Sequence, residues 1–161
     1  MQLETIIRRS FTFGLTSGII TTLGLMVGLD ASTNSRLVVL GGIFTIAIAD
    51  AFSDAFGMHI SEESEDGSKS KDIWGASIVT FVAKLVFALT FTVPVLLFPL
   101  SLAIAICVGW GFLLLGLVSA RLAFEKKTRV IPIVAEHWTI ALVVIALTYL
   151  VGQIVKTVFA G

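Results

Sequence analysis

Charged residues are scarce in this sequence. Only 14% of its 161 residues are Asp, Glu, Lys or Arg, whereas 57% are hydrophobic, and the mean hydropathy is +1.01. A soluble domain needs a charged surface, and this chain has too few charges to make one. The formal net charge is zero, so the charge balance gives no indication of nucleic-acid binding. We therefore predict an integral membrane protein surrounded by lipid.

Cysteine is almost absent as well. Cys107 is the only one and lies in an apolar run, which excludes an intrachain disulfide and a thiolate metal cluster. A cleaved signal peptide is not expected, because the apolar stretch after Arg8 and Arg9 is too long for one. Residues 28–30 (GLD) would also make a poor cleavage site. We interpret this stretch as the first spanning helix.

The long apolar runs predict the fold. About 20 mostly apolar residues cross the hydrocarbon core of a bilayer, and five segments are long enough. They comprise residues 10–29, 37–61, 73–98, 100–124 and 133–159. The predicted fold is therefore an all-α polytopic membrane protein with one transmembrane domain over residues 1–161. Residues 62–72 (EESEDGSKSKD) form its one strongly hydrophilic connection, an acidic loop.

The placement of Lys and Arg predicts the orientation, because these residues favour the cytoplasmic side. With the N-terminus inside, eight of them lie on the inner side: Arg8, Arg9, Lys69, Lys71, Arg121, Lys126, Lys127 and Arg129. Only Arg36 and Lys156 lie on the outer side. We predict a multi-pass protein of the cell membrane, with residues 62–72 in the cytosol and Gly161 outside.

Among the ionisable residues within the predicted spans, three stand out: Asp50, Asp54 and Lys84. Such residues are costly in a membrane and are candidates for function. Asp50 and Asp54 are four residues apart, so they share one helix face about 6 Å apart along the axis, and Met58 continues that face. Two carboxylates this close in a low dielectric cannot both stay ionised without a cation. We predict that they bind a metal ion or a proton.

A structural interpretation of the same residues is an Asp50–Lys84 ion pair. Asp50 lies 17 residues before Gly67, the centre of the acidic loop, and Lys84 lies 17 residues after it. On neighbouring antiparallel helices the two would therefore be level. If Lys84 neutralises Asp50, then Asp54 is left as the freer ligand.

Weaker candidates lie along the expected ion path. Ser17 and Thr21 share a face of the first helix, where their hydroxyls would line the path or instead bond to backbone carbonyls. Candidate entry ligands at the inner side are Glu62, Glu63, Glu65, Asp66, Glu136 and His137. A solvated loop and a solvated helix start explain these six residues equally well.

The spacing of glycine in the first helix suggests close helix packing. Gly14 and Gly18, and again Gly24 and Gly28, are four residues apart, which lets another helix approach closely. We predict a homodimer that associates through this helix. The alternative is packing within one subunit.

Four stretches carry a family resemblance: residues 14–25 (GLTSGIITTLGL), 49–61 (ADAFSDAFGMHIS), 114–122 (LLGLVSARL) and 148–152 (TYLVG). Their order and the five predicted helices resemble the vacuolar iron transporter family of divalent-metal carriers. The resemblance implies a dimer with this orientation, which exports cytosolic ferrous or manganous ions in exchange for protons.

The sequence departs from the family pattern at the family's ligand positions. The family's motif Asp falls on Ser17, its Met on Asp54, its Glu on Met58, and a further acidic position on Ser10. The short loop 62–72 stands where the family has a metal-loading domain. Asp50 and Asp54 would then replace the lost carboxylates.

The predicted function is export of a divalent metal from the cytosol by a transporter without a resident cofactor. Carboxylate oxygens with one thioether suit Fe(II) or Mn(II). The alternative is a non-transporting membrane protein that retains the fold. A membrane enzyme is less consistent with the residues, because two aspartates on one helix do not provide the facing pair that a protease needs.

Overall fold

The computed structural model describes residues 2–67 and 69–159, and each regular element in these ranges is an α-helix. Gly161, predicted to lie outside the cell, is not among the described residues. The helices are α1 (Gln2–Thr33), α2 (Arg36–Glu63), α3 (Ser70–Thr90), α4 (Thr92–Leu97), α5 (Leu100–Glu125) and α6 (Val130–Phe159).

Five spans of the predicted kind are present. Helices α1, α2, α5 and α6, and the continuous segment Ser70–Leu97 formed by α3 and α4, are each long and apolar enough to cross a membrane. Over the described residues, the predicted number of five helices able to cross a membrane is confirmed. The chain is a multi-pass membrane protein.

The first helix is longer than predicted. It begins at Gln2 rather than near residue 10, and it ends at Thr33. Ile6 is buried in this extension, and Arg8 Nη1 lies 2.8 Å from Glu125 Oε2 of α5. The polar N-terminal turns are therefore held by tertiary contacts, which a hydropathy pattern does not include.

The third span is not the single helix predicted over residues 73–98. It begins at Ser70 and is interrupted at Phe91, whose backbone N–H bonds to the carbonyl of Ala88 at 3.3 Å. Pro94 has no N–H to donate to the carbonyl of Thr90, and its ring disfavours a regular turn there. The short helix α4 follows this break.

Helix α1 lies at the centre of the bundle and packs against α2, α3, α5 and α6. Its apolar ridge includes Leu15, Ile19, Leu23 and Met26, all of them buried. Because α1 touches four neighbours, the groups that it carries are held by the whole bundle. The functional candidates on α1 are therefore positioned by packing against several helices.

The glycines of α1 are used within the subunit. A Cβ on Gly14 would lie 2.6 Å from the Thr80 carbonyl oxygen of α3, and one on Gly24 or Gly28 would meet Thr148 of α6. The structure thus favours packing within one subunit over a dimer interface on these glycines. They do not support association through the first helix, and the homodimer remains a prediction.

Candidate ion-binding site

Helices α1, α2 and α3 bring three polar side chains together inside the bundle. Lys84 Nζ of α3 donates to Asp54 Oδ2 of α2 at 2.5 Å and to Ser17 Oγ of α1 at 2.9 Å. Ser17 Oγ in turn donates to Asp54 Oδ2 at 2.7 Å. Each pair of these three residues is thus directly connected. The arrangement is a cation held by oxygen atoms from two other helices.

Asp50 completes this cluster with a second negative charge. Its Oδ2 lies 2.5 Å from Lys84 Nζ, yet this buried oxygen has no hydrogen-bond partner among the described residues. Proximity without hydrogen-bond geometry means that Asp50 interacts with the ammonium mainly through charge. Of the two carboxylates, Asp54 is therefore the better bonded.

These contacts confirm one prediction and correct another. The Asp50–Lys84 ion pair is present, as the level positions of the two residues predicted. However, Asp54 is not left as a freer ligand, because the same ammonium reaches both carboxylates. The side chain of Lys84 is 1% exposed, against 26% for Asp50 and 19% for Asp54, so the ammonium is the innermost group.

Close helix packing places the ammonium there. A Cβ on Gly18 would lie 3.0 Å from the backbone oxygen of Lys84 and 3.2 Å from its Cγ. A larger residue at Gly18 would therefore push α3 away from α1. The glycine spacing that suggested a dimer instead positions Lys84 beside the carboxylates.

The remaining predicted ligands are placed less favourably. Thr21 Oγ1 donates to the backbone carbonyl of Ser17 at 2.9 Å, which is the alternative role foreseen for it. Met58 is partly buried one turn beyond Asp54 on α2. Among the described residues, no three His, Cys, Asp or Glu side chains form a group that could hold a metal ion. The cluster by itself offers two carboxylates and one hydroxyl.

The predicted entry ligands do not join this cluster. Glu62 is 4% exposed and lies eight residues beyond Asp54, about 12 Å along α2 at 1.5 Å per residue. Glu63, Glu65 and Asp66 are exposed. The acidic loop is thus a surface feature, apart from the buried Glu62.

His137 and Glu136 also lack a shared site. His137 Nδ1 lies 2.6 Å from Ser119 Oγ, and that hydroxyl donates to the Leu115 carbonyl. The ring of His137 is therefore bonded to Ser119 of α5. Glu136 is exposed.

A groove between α1 and α2 adjoins the cluster. It has a volume of about 620 Å³ and is lined mainly by apolar side chains, together with Asp50 and Ser53. Along α2 runs a series of small residues at every fourth position, all of them exposed: Gly41, Thr45, Ala49, Ser53 and Gly57. We call this series the α2 small-residue stripe.

The α2 small-residue stripe is open at its two glycines. Among residues 2–67 and 69–159, no heavy atom lies within 4 Å of a Cβ built on Gly41 or on Gly57. This stripe was not predicted, although the sequence shows small residues spaced four apart along α2. Unlike the glycines of α1, these positions are open.

Comparison with known proteins supports the resemblance over part of the chain. The VIT family model matches residues 8–73, which contain most of α1, all of α2 and the acidic loop. The match includes Ser17, Asp50 and Asp54 but not Lys84. No curated protein matches the chain. The chain is therefore similar to the VIT family over its first two helices, and this family suggests membrane transport of metal ions.

Proposed function

We propose that this chain carries a divalent metal ion of the iron or manganese class out of the cytosol, in exchange for protons. One observation supports the proposal most directly. Asp50, Asp54 and Ser17 already hold a positive charge, the Lys84 ammonium, within a membrane-spanning bundle. Ionisable groups inside spans are costly and mark ion pathways in transport proteins. The similarity to the VIT family supports the same class of function.

In this proposal the metal takes the place of the Lys84 ammonium between the carboxylates. Oxygen ligands from Asp50, Asp54 and Ser17, with the thioether of Met58 nearby on α2, suit Fe(II) or Mn(II). Divalent ions held by oxygen take six or more ligands, so water or a second copy of the chain must supply the rest. Protons would bind the carboxylates after the metal leaves.

We further propose that the transporting unit is a homodimer that forms across the α2 small-residue stripe. The side chain of Asp50 is 26% exposed beside this stripe, and partial exposure of an acidic side chain to hydrocarbon is unfavourable. A second copy would cover the groove, and the open positions at Gly41 and Gly57 would permit the close approach that small residues allow.

The proposed direction rests on charge. The end of the bundle that carries eight Lys and Arg residues is proposed to face the cytosol. The exposed carboxylates Glu63, Glu65 and Asp66 lie at the same end, where they would raise the local concentration of cations. The N-terminus would be cytoplasmic and the C-terminus outside.

Metal retention in cells tests both transport and direction. Cells that express the chain in their plasma membrane should retain less radioactive manganese than cells that express Asp54→Asn, because the variant lacks a ligand. The matched control is Asp72→Asn, in the first turn of α3, which should behave like the wild type. Equal manganese retention by cells that express the wild type, Asp54→Asn and Asp72→Asn would contradict the transport proposal. Greater retention with the wild type than with Asp54→Asn would indicate import instead of export.

A second candidate function is a membrane protein that retains the fold without transporting. Lys84 favours it, because its ammonium already fills the site and bonds to Asp54 and Ser17. In that case Asp50 and Asp54 only balance a structural charge. The two candidates differ in whether a divalent ion binds at the carboxylates.

A further inference from the structure

Charge is unevenly distributed over the end of the bundle proposed to face the cytosol. Near the start of α1 and the loop between α5 and α6, six basic residues stand against three acidic ones: Arg8, Arg9, Arg121, Lys126, Lys127 and Arg129 against Glu4, Glu125 and Glu136. The connection between α2 and α3 has the opposite balance: Glu62, Glu63, Glu65, Asp66 and Asp72 against Lys69 and Lys71. One half of this end is therefore basic and the other acidic.

Within the basic half, α1 and α5 form a small cleft of about 80 Å³. Two arginines that line it share one carboxylate. Arg8 Nη1 lies 2.8 Å from Glu125 Oε2, and Arg121 Nε lies 3.3 Å from Glu125 Oε1. The three side chains carry one uncompensated positive charge. The side chains of Arg8 and Arg121 are 51% and 74% exposed, so both guanidinium groups keep N–H donors for a ligand.

Apolar side chains also line the same cleft. Phe11 of α1 and Val118 and Leu122 of α5 line it. Phe11 is exposed on the surface of the bundle. A ligand seated here would place an anionic group against the two arginines and an apolar part against Phe11. This combination matches an amphiphile better than a fully polar anion.

We infer that this cleft binds the headgroup phosphate of an anionic phospholipid in the membrane leaflet at that end of the bundle. Guanidinium groups offer paired N–H donors that fit phosphate oxygens. Basic residues next to a membrane surface attract anionic lipids. Lys126, Lys127 and Arg129 follow α5 and are all exposed, so they add to this attraction. The bound lipid bridges α1 and α5, alongside the Arg8–Glu125 ion pair.

Thermal unfolding of the full chain in detergent tests this site. The wild type is measured with added phosphatidylglycerol, with phosphatidylcholine, or with inorganic phosphate. Phosphatidylglycerol should raise the melting temperature more than phosphatidylcholine does, because a ligand that binds only the folded state stabilises it. Arg121→Gln should lose at least half of this difference between the two lipids. Arg121 is well exposed, so the variant is expected to fold.

The matched control is Lys71→Gln, which removes one exposed positive charge from the acidic half of the same end. It should keep the full difference between the two lipids. Three results would each overturn the inference: equal stabilisation by both lipids, an undiminished difference in Arg121→Gln, or an equal loss in Lys71→Gln, which would indicate diffuse charge. Equal stabilisation by inorganic phosphate would assign the cleft to a soluble anion instead of a lipid.

Discussion

Replacing Lys84 with methionine is expected to lower the free energy of unfolding by about 3–5 kcal/mol, the typical cost of removing one partner of a buried ion pair. Lys84 is 1% exposed and is the cation shared by Asp50 and Asp54. Without it, two carboxylates one helical turn apart face each other in a low dielectric. The measurement is thermal or denaturant unfolding in detergent without added metal. Lys156→Met, an exposed lysine at the end of α6, is the control and should change stability by less than about 0.5 kcal/mol.

Second variants separate the contributions of the two carboxylates. Asp54→Asn should be more destabilising than Asp50→Asn, because Asp54 accepts hydrogen bonds from both Lys84 and Ser17. The double variant Lys84→Met with Asp54→Asn should recover much of the lost stability, since it removes one of the two facing charges. If Lys84→Met is as stable as the wild type, the Lys84 ion pairs do not stabilise the fold.

Leucine at Gly14 or Gly18 is expected to prevent folding. Even a methyl group at Gly14 would lie 2.6 Å from the backbone oxygen of Thr80, and at Gly18 it would lie 3.0 Å from that of Lys84. Backbone atoms cannot move aside as a flexible side chain can, so α1 and α3 would have to separate. We expect a loss above about 4 kcal/mol, at the extreme of single substitutions. The measurement is the yield of folded protein and its melting temperature.

The α2 small-residue stripe should respond differently. A Cβ on Gly41 or Gly57 would meet no heavy atom of the described residues within 4 Å, so Gly41→Leu and Gly57→Leu should each fold and should associate less in crosslinking within membranes. Gly109→Leu on α5, an exposed glycine that is equally open, is the matched control and should leave association unchanged. The contradicting result has two parts. If Gly18→Leu folds but is fully monomeric, and Gly41→Leu is fully dimeric, then the dimer interface lies on α1 and not on α2.

The number of spans could be predicted because it depends on composition alone. A run of about 20 apolar residues is long enough to cross a bilayer, whatever its neighbours are. The ends of the helices were less predictable. Residues 2–9 are polar in part, and they are helical because Ile6 is buried and Arg8 pairs with Glu125. The Arg8–Glu125 pair involves α5, more than a hundred residues away in the sequence.

The sequence indicated which residues form the candidate site, but not which contacts the Lys84 ammonium makes. The spacing of Asp50 and Asp54 indicated a shared face, and their distance from the loop indicated that Lys84 was near. However, helix periodicity does not indicate how far a flexible lysine side chain reaches. The ammonium contacts both carboxylates and also Ser17, which the sequence analysis had treated only as a weak ligand.

The spacing of small residues indicated that another helix packs closely against α1. It did not indicate whether that helix belongs to the same chain or to a second copy. Gly14 and Gly18 permit close packing, but that spacing is the same whether the neighbour is another helix of the chain or a second copy. The tertiary structure distinguishes them, since a Cβ on Gly14 would meet Thr80 whereas one on Gly41 would meet no atom within 4 Å in the part of the chain that the structure describes.

Metal-dependent stabilisation tests most directly whether the Asp50–Asp54 pair is a site for a divalent ion. Wild type, Asp54→Asn and the control Asp72→Asn are unfolded thermally in detergent with and without Mn²⁺. A ligand that binds only the folded state, present at 100 times its dissociation constant, raises the free energy of unfolding by about 2.7 kcal/mol. We predict that Mn²⁺ raises the melting temperature of the wild type and of Asp72→Asn but not that of Asp54→Asn. No rise in the wild type at millimolar Mn²⁺, or an undiminished rise in Asp54→Asn, would contradict the account.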